Sequence, residues 1–148
     1  MLANILEDKL HSQIPLTKLM KMSIKSYSED ELITTAPLKI NINDKSTAFA
    51  GSLSTITTIS AWSICWLITQ ELGFDKTNIV ILKNNTNFYK PVTKDIVCYT
   101  KKPSQKEITI LKEKLQKKGS GSIFVKSSVI EDEKVCVDFE GLYVIKLV

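Results

Sequence analysis

The run from Ser46 to Gln70, 25 residues without a charged side chain, constrains the fold of this chain more than any other stretch. Strands rarely reach that length, and the spacing of Leu53, Ile56, Ile59, Trp62 and Trp66 predicts a helix. From Ala61 to Ile68 it is apolar nearly all round, as a helix enclosed by other elements must be. The run also exceeds the roughly 20 residues that cross a bilayer. Against a membrane span, ten of the 25 are Ser or Thr, the apolar density lies in the second half, and no basic cluster flanks one end. A buried core helix is expected, held by packing because Ser, Thr and Ile are only modest helix formers. Gly73 supplies its stop.

Around it the pattern reads in pairs of strands. Leu2, Ile5, Leu6 and Leu10 predict a short amphipathic helix ending before Pro15, followed by a helical turn from Pro15 to Met20. "SIKSYSEDELITTAPL" predicts two strands turning at "SED", and "NIVILKNNTNFYKPV" and "DIVCYTKK" predict two more. "SQKEITILKEKLQKKG" predicts a charged helix with Ile108, Leu111 and Leu115 as its buried stripe. Two final strands, "SGSIFVKSSVI" with Ile123, Val125 and Ser127 on one face and "KVCVDFEGLYVIKLV", turn at "EDE". "GSGS" at 119–122 lacks the Lys and hydroxyl of a phosphate loop and reads as a turn. The sum is an α+β fold: an antiparallel sheet of about six strands wrapped around one long central helix. At 148 residues this is one domain, 1–148. Its free edge strands invite pairing with a second copy, so a homodimer or larger homo-oligomer is expected.

Composition excludes several functions. The net charge of +4 is mild, its lysines are interleaved with acids, and no aromatic-basic platform is present, which argues against nucleic acid. Cys65, Cys98 and Cys136 form an odd set without a CxxC pair and sit among apolar neighbours, as buried reduced thiols do; a cytoplasmic protein is expected. Glu7, Asp8 and Lys9 interrupt any secretory leader. His11 is the only histidine and no ligand spacing is present, so no metal is expected. In the opening helix it reads as an exposed or capping residue, and no GxSxG elbow offers a serine nucleophile.

Three stretches carry a family resemblance. "NINDKSTAFAGSL" at 41–53, "FYKPV" followed by Asp95, and "FEGLYVIKL" at 139–147, together with "IPLTKLM" at 14–20, resemble the hot-dog-fold acyl thioesterases. The group most similar is the C-terminal thioesterase domain found fused to an acetyltransferase domain. That resemblance implies a hot-dog fold, hydrolysis of an acyl-CoA or acyl-carrier-protein thioester without cofactor, and an active site at a subunit interface near the start of the central helix. The chain departs from the pattern in three places. Phe49, Ala50 and Gly51 stand where many relatives have His and two glycines, Thr58 stands where many carry a helix carboxylate, and Lys94 stands where glycine is frequent.

Thioester hydrolysis requires a group that activates water and donors aimed at the developing oxyanion. A long helix start offers unpaired N–H groups and partial positive charge, and Gly51 lets a substrate approach that backbone. Asp44, the only carboxylate between Glu31 and Glu71, is the candidate base, and Asn43 the candidate for orienting water or carbonyl. Thr47, Ser52, Ser54 and Thr58 are candidate substrate-binding hydroxyls. Each has a structural alternative. Asn43 and Asp44 also suit a loop that bonds its own backbone, Gly51 also suits close packing, and helix hydroxyls also satisfy i−4 carbonyls. Trp62 and Trp66 read as core or subunit contacts. Two other functions fit less well: a non-catalytic acyl-CoA binding module, and a hot-dog hydratase or dehydratase, which ordinarily uses a His and acid pair.

Overall fold

The computed structural model describes residues 1–148. Helix α1 (Leu2–Gln13) buries Leu6 and Leu10, and Pro15 opens the short helix α2 (Pro15–Leu19). His11 lies between elements: half-buried, it places Nε2 2.7 Å from the Met22 carbonyl. The expected exposed or capping role is thereby corrected, since the ring ties α1 to the chain entering the sheet.

Strands β1 (Ser23–Tyr27) and β2 (Glu31–Ala36) flank the predicted turn, and helix α3 (Ala50–Glu71) is the charge-free run. Strands β3 (Thr77–Phe88) and β4 (Ile96–Lys101), helix α4 (Gln105–Lys118), and strands β5 (Ser120–Glu131) and β6 (Lys134–Leu147) complete the chain. All six strands join one sheet in the order β1-β2-β4-β5-β6-β3, with every neighbouring pair antiparallel. Gly119, at φ 72°, ends α4 in the left-handed conformation, and Ser120 to Ser122 already belong to β5. "GSGS" is thus a helix stop followed by a strand, because pairing with Val144 to Lys146 extends the sheet to Ser120.

The sheet curves around α3, twelve of whose residues are buried. By length and hydropathy α3 passes for a membrane span, yet it is the core helix of the sheet. Its hydroxyls explain how. Thr55, Thr57, Thr58 and Ser63 donate to carbonyls four residues back at 2.7–2.9 Å, so their polarity is consumed within the helix. Ser60 instead reaches the sheet, 2.7 Å from Thr34, while Ser127 pairs with Thr100 at 2.8 Å and donates to the Thr57 carbonyl at 3.2 Å. The Cys98 thiol lies among these four hydroxyls, not among apolar neighbours as its sequence context suggests, and burial pushes its pKa up to about 11. All three cysteines are free and buried.

The two sheet edges differ. On β1 a bulge interrupts pairing between Ile24 and Ser26, and the Ile24 N–H is taken by the Glu7 carboxylate of α1 at 2.7 Å. β3 runs for 12 residues beside β6 with its other edge unpaired, and a bulge at Leu82 shifts its register.

Candidate active site

The site is built on the loop between β2 and α3. Leu38 N–H donates to Asp95 at 2.9 Å, and the buried Asn41 amide donates to the carbonyls of Met20 and Pro37. An isolated bridge between Ile42 and Ala48 closes the loop, and Ala48 N–H donates to the Val92 carbonyl. The chain then enters α3 through Phe49, whose N–H donates to the Asn41 carbonyl at 2.7 Å.

Phe49 is the N-cap and offers no side-chain oxygen. The first N–H of the helix to find a carbonyl is that of Leu53, so those of Ala50, Gly51 and Ser52 have no partner in the protein. α4 differs in one respect: Ser104 and Glu107 form a reciprocal capping box that takes up the Glu107 N–H, the third of its first turn. The core helix is therefore left open at its positive end. A Cβ on Gly51 would meet the Phe49 ring, which folds back over the first turn, so a side chain there requires that ring to move.

Two cavities flank this entrance. On the α2 side, one of about 490 Å³ is lined by Leu16, Leu19, Met20, Ile40, Phe49 and Gly51, with Asn41, Ser52 and Thr55. On the β3 side, one of about 300 Å³ includes Asn43, Thr47, Ala50, Leu53, Phe88 and Tyr89. The candidate residues are thereby divided: Gly51 and Ser52 face the first cavity, Asn43 and Thr47 the second. Asn43 is occupied by its own loop. Its Oδ1 accepts from the N–H groups of Lys45 and Thr47, and its Nδ2 donates to Thr47 Oγ1 at 2.9 Å. Asp44 lines neither cavity; its side chain is 82% exposed and pairs with Lys45 at 3.2 Å. Thr58 donates to the Ser54 carbonyl at 2.7 Å, and its own carbonyl accepts from Tyr143 at 2.6 Å.

Ala50, Ser54, Thr58 and Trp62 recur every four residues and so share one face of α3. That face looks toward β3, since Trp62 Nε1 donates to the Ile79 carbonyl at 3.0 Å and Ala50 shares a cavity with Phe88. Cross-strand partners share a face of the sheet, so the partners of helix-facing Gly141 and Phe139 are helix-facing too. These are Asn84 and Thr86, exposed or half-buried beside the free edge. Thr86 Oγ1 donates to Asn84 Oδ1 at 2.7 Å, which leaves the Asn84 amide donor free. Sequence reading missed this pair, because simple alternation from Ile79 and Ile81 points Lys83, not Asn84, toward the helix; the Leu82 bulge reverses that phase. At the far end of the α3/β3 groove, Trp62 and Trp66 line a third cavity with Lys9, Asp75 and Lys76.

The sequence matches the family model described as "Putative thioesterase (yiiD_Cterm)" across residues 3–147. The chain belongs to this family. Membership bears out the thioesterase resemblance and the thioester hydrolase class expected from it. Among solved structures, the fold superposes on a Chlorobaculum tepidum protein of unknown function with a TM-score of 0.92 and 32% identity, covering 98% of this chain and 94% of that one. A protein described as a "putative thioesterase" from Shewanella oneidensis gives 0.88 and 32% over 97% of this chain and 96% of that one. A thioesterase from Haemophilus influenzae, at 14% identity and TM-score 0.69 over 96% and 92%, shares the fold. The six-stranded antiparallel sheet around α3 is accordingly the hot-dog fold of these thioesterases.

Proposed function

We propose that this member of the thioesterase family hydrolyses an acyl-CoA or acyl-carrier-protein thioester at the open N-terminus of α3. The observation that carries the reading is the set of three unpartnered N–H groups at Ala50, Gly51 and Ser52, at the start of the core helix and beside the two cavities, with no side-chain cap from Phe49. Such donors hold a developing oxyanion, and each is worth about a hundred- to a thousandfold in rate. The thioester lies at the helix entrance, where the two cavities flank Gly51.

Asp44 is the proposed base. It reaches substrate only from the loop rim, so water enters between loop and substrate and the Asp44 carboxylate takes its proton. Asn43 and Thr47 position the loop that carries it, while Ser52, Ser54 and Thr58 line the helix faces beside the substrate. The proposed assembly is a homo-oligomer paired along β3, which encloses the α3/β3 groove with a second copy. Three free, buried thiols support a cytoplasmic setting.

The test is thiol release from acyl-CoA substrates by wild type and Asp44→Asn. Loss of turnover with an unchanged urea midpoint supports the assignment; wild-type turnover in the variant removes Asp44 from the mechanism. A second reading, an acyl-CoA binding module, draws on the absence of any carboxylate lining the two entrance cavities. Binding without thiol release favours it.

A further inference from the structure

The α2-side cavity is the most apolar concavity beside the helix entrance, and its walls are chemically sorted. Leu16, Leu19, Ile40 and Phe49 are each more than half exposed around it, an arrangement that costs hydration unless something covers them. Met20, 5% exposed, forms the floor, and the polar groups are confined to Asn41 and to the α3 side, Ser52 and Thr55. None of the lining comes from β1 or β3, so a second copy paired along a sheet edge does not use these residues for that pairing.

Basic residues adjoin the lining in the chain: Lys18 precedes Leu19, Lys21 follows Met20 and Lys39 precedes Ile40, all three are exposed, and none forms an ion pair. No acid occurs between Asp8 and Glu29, nor between Glu31 and Asp44. An apolar groove whose lining residues are flanked in the chain by exposed, unpaired lysines and by no acid is complementary to a hydrocarbon chain joined to an anionic carrier. Its volume of about 490 Å³ lies within the range of small-molecule sites.

We infer that this groove holds the hydrocarbon chain of a medium- or long-chain acyl thioester whose carrier bears phosphate. The inference rests on the hydrolase reading for the position of the thioester, because Gly51 both lines the groove and carries one of the three open N–H groups. Phe49 then sets the boundary. Its ring, set against Gly51, forms the wall that the acyl chain follows as it leaves the carbonyl.

The experiment uses non-hydrolysable S-ethyl- and S-dodecyl-CoA thioethers, titrated calorimetrically into wild type, Leu16→Ser/Leu19→Ser and Ile40→Ser, each checked for an unchanged melting curve. The expected result is that S-dodecyl-CoA binds wild type more tightly than S-ethyl-CoA and loses about tenfold or more in both variants. S-ethyl-CoA affinity stays the same in all three proteins. Unchanged S-dodecyl-CoA affinity in both variants overturns the inference, as does an equal loss for both thioethers. No binding of S-dodecyl-CoA by wild type overturns it, and so does binding to phosphatidylglycerol vesicles alone, which would make the patch a bilayer-facing surface. Thiol release in parallel separates the two readings. Groove-dependent binding without release keeps the chain site and removes hydrolysis, whereas release indifferent to chain length keeps hydrolysis and removes the chain site.

Discussion

Single side chains make the sharpest claims. The Thr34–Ser60 pair is fully buried, so Thr34→Val strands a hydroxyl partner and costs about 1–3 kcal/mol, whereas Thr34→Val with Ser60→Ala is close to neutral. Urea midpoints of the four proteins of that cycle check it. Tyr27 offers a pH test. Burial first, then its hydrogen bond to Glu71, raise the phenol pKa from its ordinary 10.0 to about 12. The unfolded phenol ionises first, so this contribution to stability is complete below pH 10 and is lost as pH rises through 12. Tyr27→Phe removes this dependence, so the stability difference between the two proteins is expected to be constant from pH 8 to below pH 10 and to shift against wild type as pH rises toward 12, read by urea unfolding across the range. At this scale the sequence was legible wherever local geometry decides. The i−4 hydroxyl bonds of α3 and the stop at Gly73, which takes a positive φ just past that helix, follow from residue type and position. His11 and Cys98 were not legible, because their partners, the Met22 carbonyl and, for Cys98, hydroxyls of Thr34, Ser60 and Ser127 on three other elements, lie outside their own neighbourhoods.

Elements show why the two long helices differ. Ser104 caps α4 from both directions, and Ser104→Ala is expected to lower stability by about 1 kcal/mol, measured as a shift in thermal midpoint. α3 has the opposite arrangement. Phe49→Ser supplies the missing oxygen, so it is expected to strengthen the helix start while lowering the turnover of a short acyl-CoA, the combination expected if the open N–H groups serve the reaction. Turnover equal to wild type would take the helix terminus out of the mechanism. The existence of every helix and strand was readable from apolar period and turn residues. The division of the candidate residues between two cavities was not, since it depends on which way a 13-residue loop folds around Asn41 and Asn43.

On the scale of the whole molecule, the two edges of the sheet set how copies associate. β1 is short, bulged and partly covered by Glu7, while β3 offers its full length with Val80 and Leu82 exposed. Val80→Lys/Leu82→Lys is expected to convert the proposed dimer to monomer in sedimentation velocity and to abolish turnover with it. An unchanged mass would move the pairing surface elsewhere. The bulge at Leu82 also bears on how this strand is to be compared with its relatives. Because one extra residue inverts the face of all that follow, an insertion or deletion at Leu82 is a change of sidedness before it is a change of length. Sequences aligned across it residue for residue will match side chains that point to opposite sides of the sheet.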